Sequence, residues 1–527
     1  MTKIVATHYP ISLSTLPSSW ASARVGEVTF DIQPGFASGV HNQEGRGIPH
    51  LRPMNVDREG RLDLNVVKYV SASSPLRVQF GDVLFNNTNS AELIGKTAHI
   101  GIEADLAFSN HMTRLRPVKG IDPRFMAHQL HFLWMTGYFQ HRCTHHVNQA
   151  SVSSTTLAES VPFAVAPSRE QLRIAQEIEK QFTRLEAAVT ALGRVQANLK
   201  RYRAAVLKAA CEGHLVPTEA ELALHERRSY EHGSALLNRI LGERRSHRGA
   251  APKTNRQAIG REPSDGIVKP QYQEPGFPDT KELAPLPEGW VWARAEQICD
   301  FITKGTTPAA EKLFADAGEV PYIKVYNLTN RGTLDFGVNP TFIARTTHDG
   351  ELVRSRVFPN DVLMNIVGPP LGKVSIVPSE YPEWNINQAI AIFRPMPSFA
   401  VKYLSYCLLS ETVLNWAIRR SKATAGQFNL TLQICRDLPV PVPPADEQRR
   451  IVSELERRLS VIEEMELQTS KDLTRAKYLR QAILKRAFEG NLVPQDTTDE
   501  PANVLLERIR AEKETVVKAA VQRGRSK

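Results

Sequence analysis

The sequence predicts an α+β chain: two globular domains of mixed strands and short helices, separated by two long helices that pair as an antiparallel coiled coil. Three observations predict it. Residues 199–217 (LKRYRAAVLKAACEGHLVP) and 476–494 (AKYLRQAILKRAFEGNLVP) lie 277 positions apart and agree at 11 of 19 places, so the chain carries an internal tandem repeat. Each copy closes a long heptad pattern. Each heptad pattern follows a region of short apolar runs broken by turn residues, as strands would be.

The bulk numbers bound the reading. The 527 residues allow roughly three or four domains. A hydrophobic content of 42% supports real cores. A net charge of +10 and a pI near 9.3 favour an anionic partner, nucleic acid first. Five scattered cysteines (Cys143, Cys211, Cys299, Cys407, Cys435) without a CxxC pair fit a reducing compartment. No apolar run approaches the roughly 18 residues of a membrane span, and the start lacks a signal-peptide core. A cytoplasmic protein is expected.

In order, residues 1–166 form the first globular domain, entered at Leu16-Pro17-Ser18-Ser19-Trp20 after a loose arm. Strands are predicted over Val25–Ile32, Val66–Val70, Asp82–Phe85 and Thr97–Ile102, and a helix over Pro123–Phe139. Residues 167–217 form the first long helix, with a seam at Ile178, Phe182, Leu185, Val189, Leu192, Leu199 and Val206. Residues 218–285 hold a short helix and then, over 243–281, a polar stretch of linker composition. The second domain spans 286–443 and repeats the order of the first. Leu286-Pro287-Glu288-Gly289-Trp290 echoes the entry, and NDVLMN at 360–365 answers GDVLFN at 81–86. Residues 444–494 form the second long helix, with Leu455, Leu459, Ile462, Leu473 and Ile483 on its seam; 495–527 is a helical tail. Gln196, Arg203, Glu466, Thr469 and Arg480 are polar seam positions, which set register and partner. Ser168 and Asp446 sit where N-caps belong, and Gly213 and Gly490 where the helices stop. A helix of about 45 residues is roughly 68 Å long.

Three constellations are candidates for chemistry. Ile94-Gly95-Lys96-Thr97 looks like half of a phosphate loop, but Ser90 stands where a Gly is needed and the second copy has Val374 for the Thr. A turn exposing Lys96, and Lys373 in the second copy, is expected instead. His128, His131, His141, Cys143, His145 and His146 match no zinc spacing, and the second copy lacks them, so no metal is expected. Both copies share a basic, hydroxyl-bearing loop before a glutamine, His141–Gln149 and Arg419–Gln427, which suits phosphate and base-edge contacts. No catalytic signature is present.

These motifs, with LPVPVPPADEQRRI at 438–451, resemble the specificity subunit of bacterial type I restriction–modification systems over nearly the whole chain. Ser19 in place of Gly at the first entry and the long polar linker depart from the pattern. The resemblance implies a non-catalytic DNA-recognition subunit whose two domains are target recognition domains, each reading half of a bipartite double-stranded DNA target. Its long helices would space the domains and dock two methyltransferase subunits and the restriction/translocase subunits. S-adenosylmethionine, ATP and Mg²⁺ would belong to those partners. One helical turn of DNA is about 34 Å, which a helix of roughly 68 Å can span.

Polar positions at strand ends and loops are the expected DNA contacts. In the first domain these are Arg52, Asn55, Asn86, Asn87, Lys96, Arg142, His145 and Gln149. In the second they are Lys304, Lys324, Asn327, Asn365, Lys373, Arg420, Lys422 and Gln427. Arg203 and Arg480 are expected at the subunit interface. The alternatives are a stand-alone DNA-modifying enzyme and a coiled-coil scaffold that binds no DNA; salt-sensitive duplex binding separates them.

Overall fold

The computed structural model describes residues 9–71, 76–147, 149–250, 274–424 and 427–525. It divides into two compact units, residues 1–194 with 469–527, and residues 195–468.

The first unit is built on a four-stranded antiparallel sheet in the order Thr29–Pro34, Met112–Pro117, Val83–Asn86, Thr97–His99. Successive side chains of a strand point to opposite faces. Val83 and Phe85 accordingly join a core with Phe125, Leu130 and Phe139, while Leu84 joins another with Leu51, Val56 and Phe108. The helix Pro123–Met135 covers the first face; Asp122 caps it, accepting from the backbone N–H of Arg124 and Phe125, with Pro123 at its first position.

The second unit has a sheet in the matching order: Cys299–Lys304, Ile390–Pro395, Val362–Asn365, Val374–Ile376. Val362 and Met364 again face one core, and Leu363 faces another with Ile323 and Trp384. The helices Val401–Leu409 and Glu411–Arg420 cover it.

The shared motifs have local physical causes. Gly81 and Asn360 both hold left-handed backbone, at φ 87° and 71°, which Gly and Asn tolerate. The aspartate that follows is buried and chelated by an arginine of the neighbouring strand. Asp82 accepts from Arg116 at 2.8 and 2.9 Å, and Asp361 from Arg394 at 2.7 Å twice. Each entry strand pairs with the strand leading to a long helix, Ala21–Arg24 with Pro162–Val165 and Val291–Arg294 with Pro439–Val442. These are two-stranded ladders, which tolerate the prolines.

The long helices run Ser168–Cys211 and Ala445–Phe488, 44 residues each. Their opening Glu-Gln pairs hold them in place. Trp20 donates to Glu170 and Trp290 to Glu447, each at 3.0 Å. Gln171 and Gln448 reach back to the carbonyls of Ala166 and Pro443. At the far ends Gly213 and Gly490 take φ 74° and 73°. A side chain at Gly213 would collide with Pro287, and one at Gly490 with Pro17, so the LPxxW entries and the helix stops fit together within each unit. In the first unit Ile174, Ile178 and Phe182 share a core with Ile483, Leu484 and Phe488. In the second, Leu199 and Val206 share one with Ile451, Leu455 and Ile462.

Some expectations are corrected. Ser168 does not cap its helix; its hydroxyl donates to the Gly120 carbonyl at 2.7 Å. Val189 is 38% exposed rather than seam-buried. The stretch expected to be linker from 243 is helical through Gly233–Ala250, because Leu236, Leu237, Ile240 and Leu241 give it an apolar face that is fully buried. Of the rest of the expected linker, 251–273 lie outside the described residues, and 274–281 form neither helix nor strand. The strand Met112–Pro117 was not predicted: its polar Thr113 and Arg114 are buried by specific partners, Asn87 and Asp31, rather than by apolar packing. Among the described residues no helix is long and apolar enough to cross a membrane.

Candidate nucleic-acid interface

Each domain carries a loop pinned by one buried asparagine. Asn55 accepts from the Arg52 N–H at 2.9 Å and donates to the carbonyls of Asp63 and Val66. Asn327 accepts from the Lys324 N–H at 2.9 Å and donates to the carbonyls of Asp335 and Val338. These three bonds use both amide hydrogens and the amide oxygen of each asparagine, so these side chains organise the loop from inside. The residue that opens each loop, Arg52 or Lys324, is half-buried. Around Arg52 gather His41, His50 and Lys68, with His41 Nε2 3.1 Å from His50 Nδ1. Burial first, then the Arg52 and Lys68 charges, hold His41 below its ordinary pKa. Lys324 lies 6.0 Å over the ring of Tyr326.

Each domain also carries a β-hairpin at the predicted loop before the glutamine. Thr144–His146 pairs with Gln149–Ser151, and Lys422–Thr424 with Gln427–Asn429. The registers match, His146 opposite Gln149 and Thr424 opposite Gln427. Thr144, His145, His146 and Gln149 are exposed. The side chains of Lys422 and Gln427 lie outside the described residues. Just before each hairpin an arginine rests on an aromatic face: Arg142 is 4.1 Å from the Tyr138 ring centre, and Arg420 is 4.1 Å from that of Trp416. Such contacts orient a guanidinium over the ring face. Arg420 also pairs with Glu282 at 2.7 Å.

The remaining predicted residues divide by burial. Asn86, Asn87, Lys96 and Asn365 are buried, as Asn55 and Asn327 are. Asn86 donates to the Pro53 carbonyl, Asn87 to Thr113, and Asn365 to the Pro370 carbonyl. The turn at Gly95 does not expose Lys96. Its ammonium donates to the carbonyls of Pro53 and Val56, and burial lowers its pKa. The reason is the left-handed glycine, φ 96°, which folds the lysine back under the asparagine-pinned loop. Lys373 is half-buried and Lys304 is exposed at a strand end. Arg203 and Arg480 face inward: Arg203 lies 3.4 Å from Glu463, and Arg480 3.0 Å from Glu186. Among the described residues no group of three or more His, Cys, Asp or Glu gathers as metal ligands would.

Sequence reading missed Tyr138, Trp416, His41 and Lys68. The first two were detectable: laying the copies over one another at an offset of 278 puts Tyr138 on Trp416 and Arg142 on Arg420. His41 and Lys68 have no counterpart pattern and come together only through the fold.

Residues 287–475 match the family described as type I restriction modification DNA specificity domain. The chain is 26% identical over 389 residues to the type I restriction enzyme EcoBI specificity subunit of Escherichia coli, covering 70% of this chain and 68% of that protein. It is 22% identical over 533 residues to the EcoKI specificity subunit of Escherichia coli K12, covering 95% and 97%. A solved chain from work on complex assembly and conformational transition of a type I R-M system shares the fold. It superposes with a TM-score of 0.59 at 18% identity over 90% of this chain and 99% of that one.

Proposed function

We propose that this chain is a specificity subunit of a type I restriction–modification system and that each globular domain reads one half of a bipartite DNA target. It is a non-catalytic recognition subunit. The observation that carries the half-by-half reading is the recurrence of one set of parts with different neighbours. Both domains have a basic residue opening an asparagine-pinned loop, an arginine laid on an aromatic ring, and a hairpin in matching register. The neighbours are histidines and Lys68 in one domain and Tyr326 in the other.

In this reading Arg142, His145, Gln149, Arg420, Lys422 and Gln427 meet the duplex from the hairpins. Arg52, Lys304, Lys324 and Lys373 meet it from strand ends and loops. The buried asparagines and Lys96 set the loop shape that presents them. Arginine on guanine, or glutamine on adenine, discriminates by about 1–3 kcal/mol per bidentate pair. The two long helices form an antiparallel coiled coil, derived with the domains from a tandem duplication, that spaces the readers. It docks two methyltransferase subunits and restriction/translocase subunits in the cytoplasm, with S-adenosylmethionine, ATP and Mg²⁺ held by those partners.

The test is co-expression with the cognate methyltransferase subunit, followed by single-molecule mapping of modified adenines. The expected result is a two-part motif with a fixed gap, of which one half changes when residues 16–166 are exchanged for those of another specificity subunit. Modification without such a motif, or a swap that alters neither half, would overturn it.

A further inference from the structure

The asparagine-pinned loop is fastened to the long helices in both units, each time by a carboxylate shared between two arginines. In the first unit Glu186, on the first long helix, pairs with Arg480 of the second long helix at 3.0 Å and also with Arg61, which lies on the loop. Arg480 completes the fastening: its second guanidinium nitrogen donates to the Glu59 carbonyl at 3.3 Å, and the group lies 4.2 Å from the Phe182 ring centre. In the second unit Glu466, on the second long helix, pairs with Arg203 of the first at 3.6 Å. It also pairs with Arg331, on the loop, at 3.1 Å. Both loops turn at a left-handed glycine in this stretch, Gly60 at φ 80° and Gly332 at φ 83°.

The arrangement has a direct geometric consequence. The loop is held at one place by its internal asparagine, which also fixes the backbone of Arg52 or Lys324. It is held at the other by the carboxylate. A segment pinned at both points moves with the helices rather than by itself. The residues chosen differ between units, with Glu59, Gly60 and Arg61 in one and Arg331, Gly332 and Thr333 in the other, yet the Arg–Glu–Arg pattern is kept. A stabilising surface pair alone would be worth little and gives no reason for the second arginine.

We propose that Glu186 and Glu466 are positioning residues for target reading, each aligning the recognition loop of its own unit with the long helices. The proposal rests on the half-by-half reading above. It predicts that each glutamate governs one half of the target only.

The experiment uses the full chain co-expressed with its methyltransferase subunits. Methylation is compared at the cognate site and at sites carrying one changed base in either half. Glu186→Gln is expected to raise methylation of sites altered in the half read by the first domain about tenfold relative to the cognate site. Sites altered in the other half should not gain. Glu466→Gln is expected to do the reverse. Arg61→Met and Arg331→Met, at half-exposed positions that leave Arg480 and Arg203 paired, are expected to relax the same halves more weakly. Relaxation of both halves together would make the glutamates general stabilisers and overturn the proposal, as would unchanged discrimination in all four variants. Exchange of residues 16–166, run alongside, separates the two ideas. If the exchange changes one half but Glu186→Gln changes none, the loop fastening fails and the half-by-half reading stands; if the exchange changes neither, the reading itself has failed.

Discussion

Arg480 and Arg203, which occupy equivalent places in the two long helices, each face a glutamate of the opposite helix, and those glutamates are equivalent too. Arg480 meets Glu186 at 3.0 Å and Arg203 meets Glu463 at 3.4 Å; both pairs are related by the same shift of 277 positions. The environments differ in one respect that matters. Arg480 is 10% exposed and its pKa is lowered by burial, whereas Arg203 has Glu466 as a second partner. Removing Glu186 strands a mostly buried Arg480 charge, while Arg203 keeps Glu466 when Glu463 is removed, so the second loss stays under about 1 kcal/mol. Glu186→Ala is therefore expected to lower stability by about 2 kcal/mol, and Glu463→Ala by about 0.5 kcal/mol. Urea denaturation of the purified variants measures both, and equal losses would contradict the assignment.

The glycines make a sharper contrast. Gly213 and Gly490 are left-handed and back onto proline rings, so Gly213→Ala and Gly490→Ala each combine a disfavoured backbone with a clash. A loss of at least about 2 kcal/mol is expected for each. Gly193, inside the first long helix with open space around it, should behave oppositely. Gly193→Ala is expected to stabilise by roughly 0.5–1 kcal/mol, read as a rise in the denaturation midpoint.

Asp82 and Asp361 are nearly inaccessible and each accepts two bonds from one arginine. Asp82→Ala and Asp361→Ala should each cost about 3 kcal/mol, through the stranded arginine and the lost bonds to the Gln79 and Phe358 N–H groups. Arg394 also lies 5.5 Å from the Phe301 ring centre and 4.8 Å from that of Phe358. Limited proteolysis should show the unit containing the altered aspartate opening first.

Acid should act on the first unit through two inward-facing histidines, the buried His131 and the half-buried His128. Burial, more than any neighbouring charge, holds His128 and His131 at about 3 against an ordinary 6.5. The unfolded chain therefore takes up protons that the folded chain refuses between those values. Stability is complete above pH 6.5 and falls as the pH is lowered toward 3. His128→Leu is expected to flatten that slope. Thermal denaturation at several pH values tests this, and an unchanged slope would count against burial of a neutral ring.

The arginines on aromatic rings give a binding prediction. If Arg142 and Arg420 contact phosphates, Arg142→Ala and Arg420→Ala should weaken binding to all duplexes and reduce the salt slope by about one unit each. If they contact bases, the salt slope should stay nearer its original value and discrimination in one half should drop. Filter binding across a salt series distinguishes the two.

The fold was legible wherever periodicity and punctuation agreed. The long helices, the strand at Val83–Asn86 and the helix beginning at Pro123 follow from heptads, alternation and a capped Asp-Pro start. The strand Met112–Pro117 was not legible, since its buried arginine is satisfied by Asp31, a residue far away in sequence. The candidate site was legible by residue type but not by direction. Asn55 and Arg52 are equally polar on paper, yet the first is buried with three side-chain hydrogen bonds and the second opens the loop that they shape. Only the fold distinguishes a polar side chain that organises a loop from one that reaches out of it. The meaning of GDVLFN and NDVLMN, a left-handed residue before a chelated aspartate, likewise needed the facing arginine to be seen.

The division of the chain bears on the order of its synthesis. The second unit is a single continuous segment, 195–468, whereas the first joins 1–194 to 469–527. Ile483, Leu484, Phe488, Leu505 and Ile509 all belong to the core that contains Trp20 and Phe125. A chain emerging from the ribosome therefore completes the later domain's core while the earlier one still lacks a wall. The half made first must wait, with apolar surface uncovered, for residues 483–509 to arrive, and is the half most in need of a chaperone during translation.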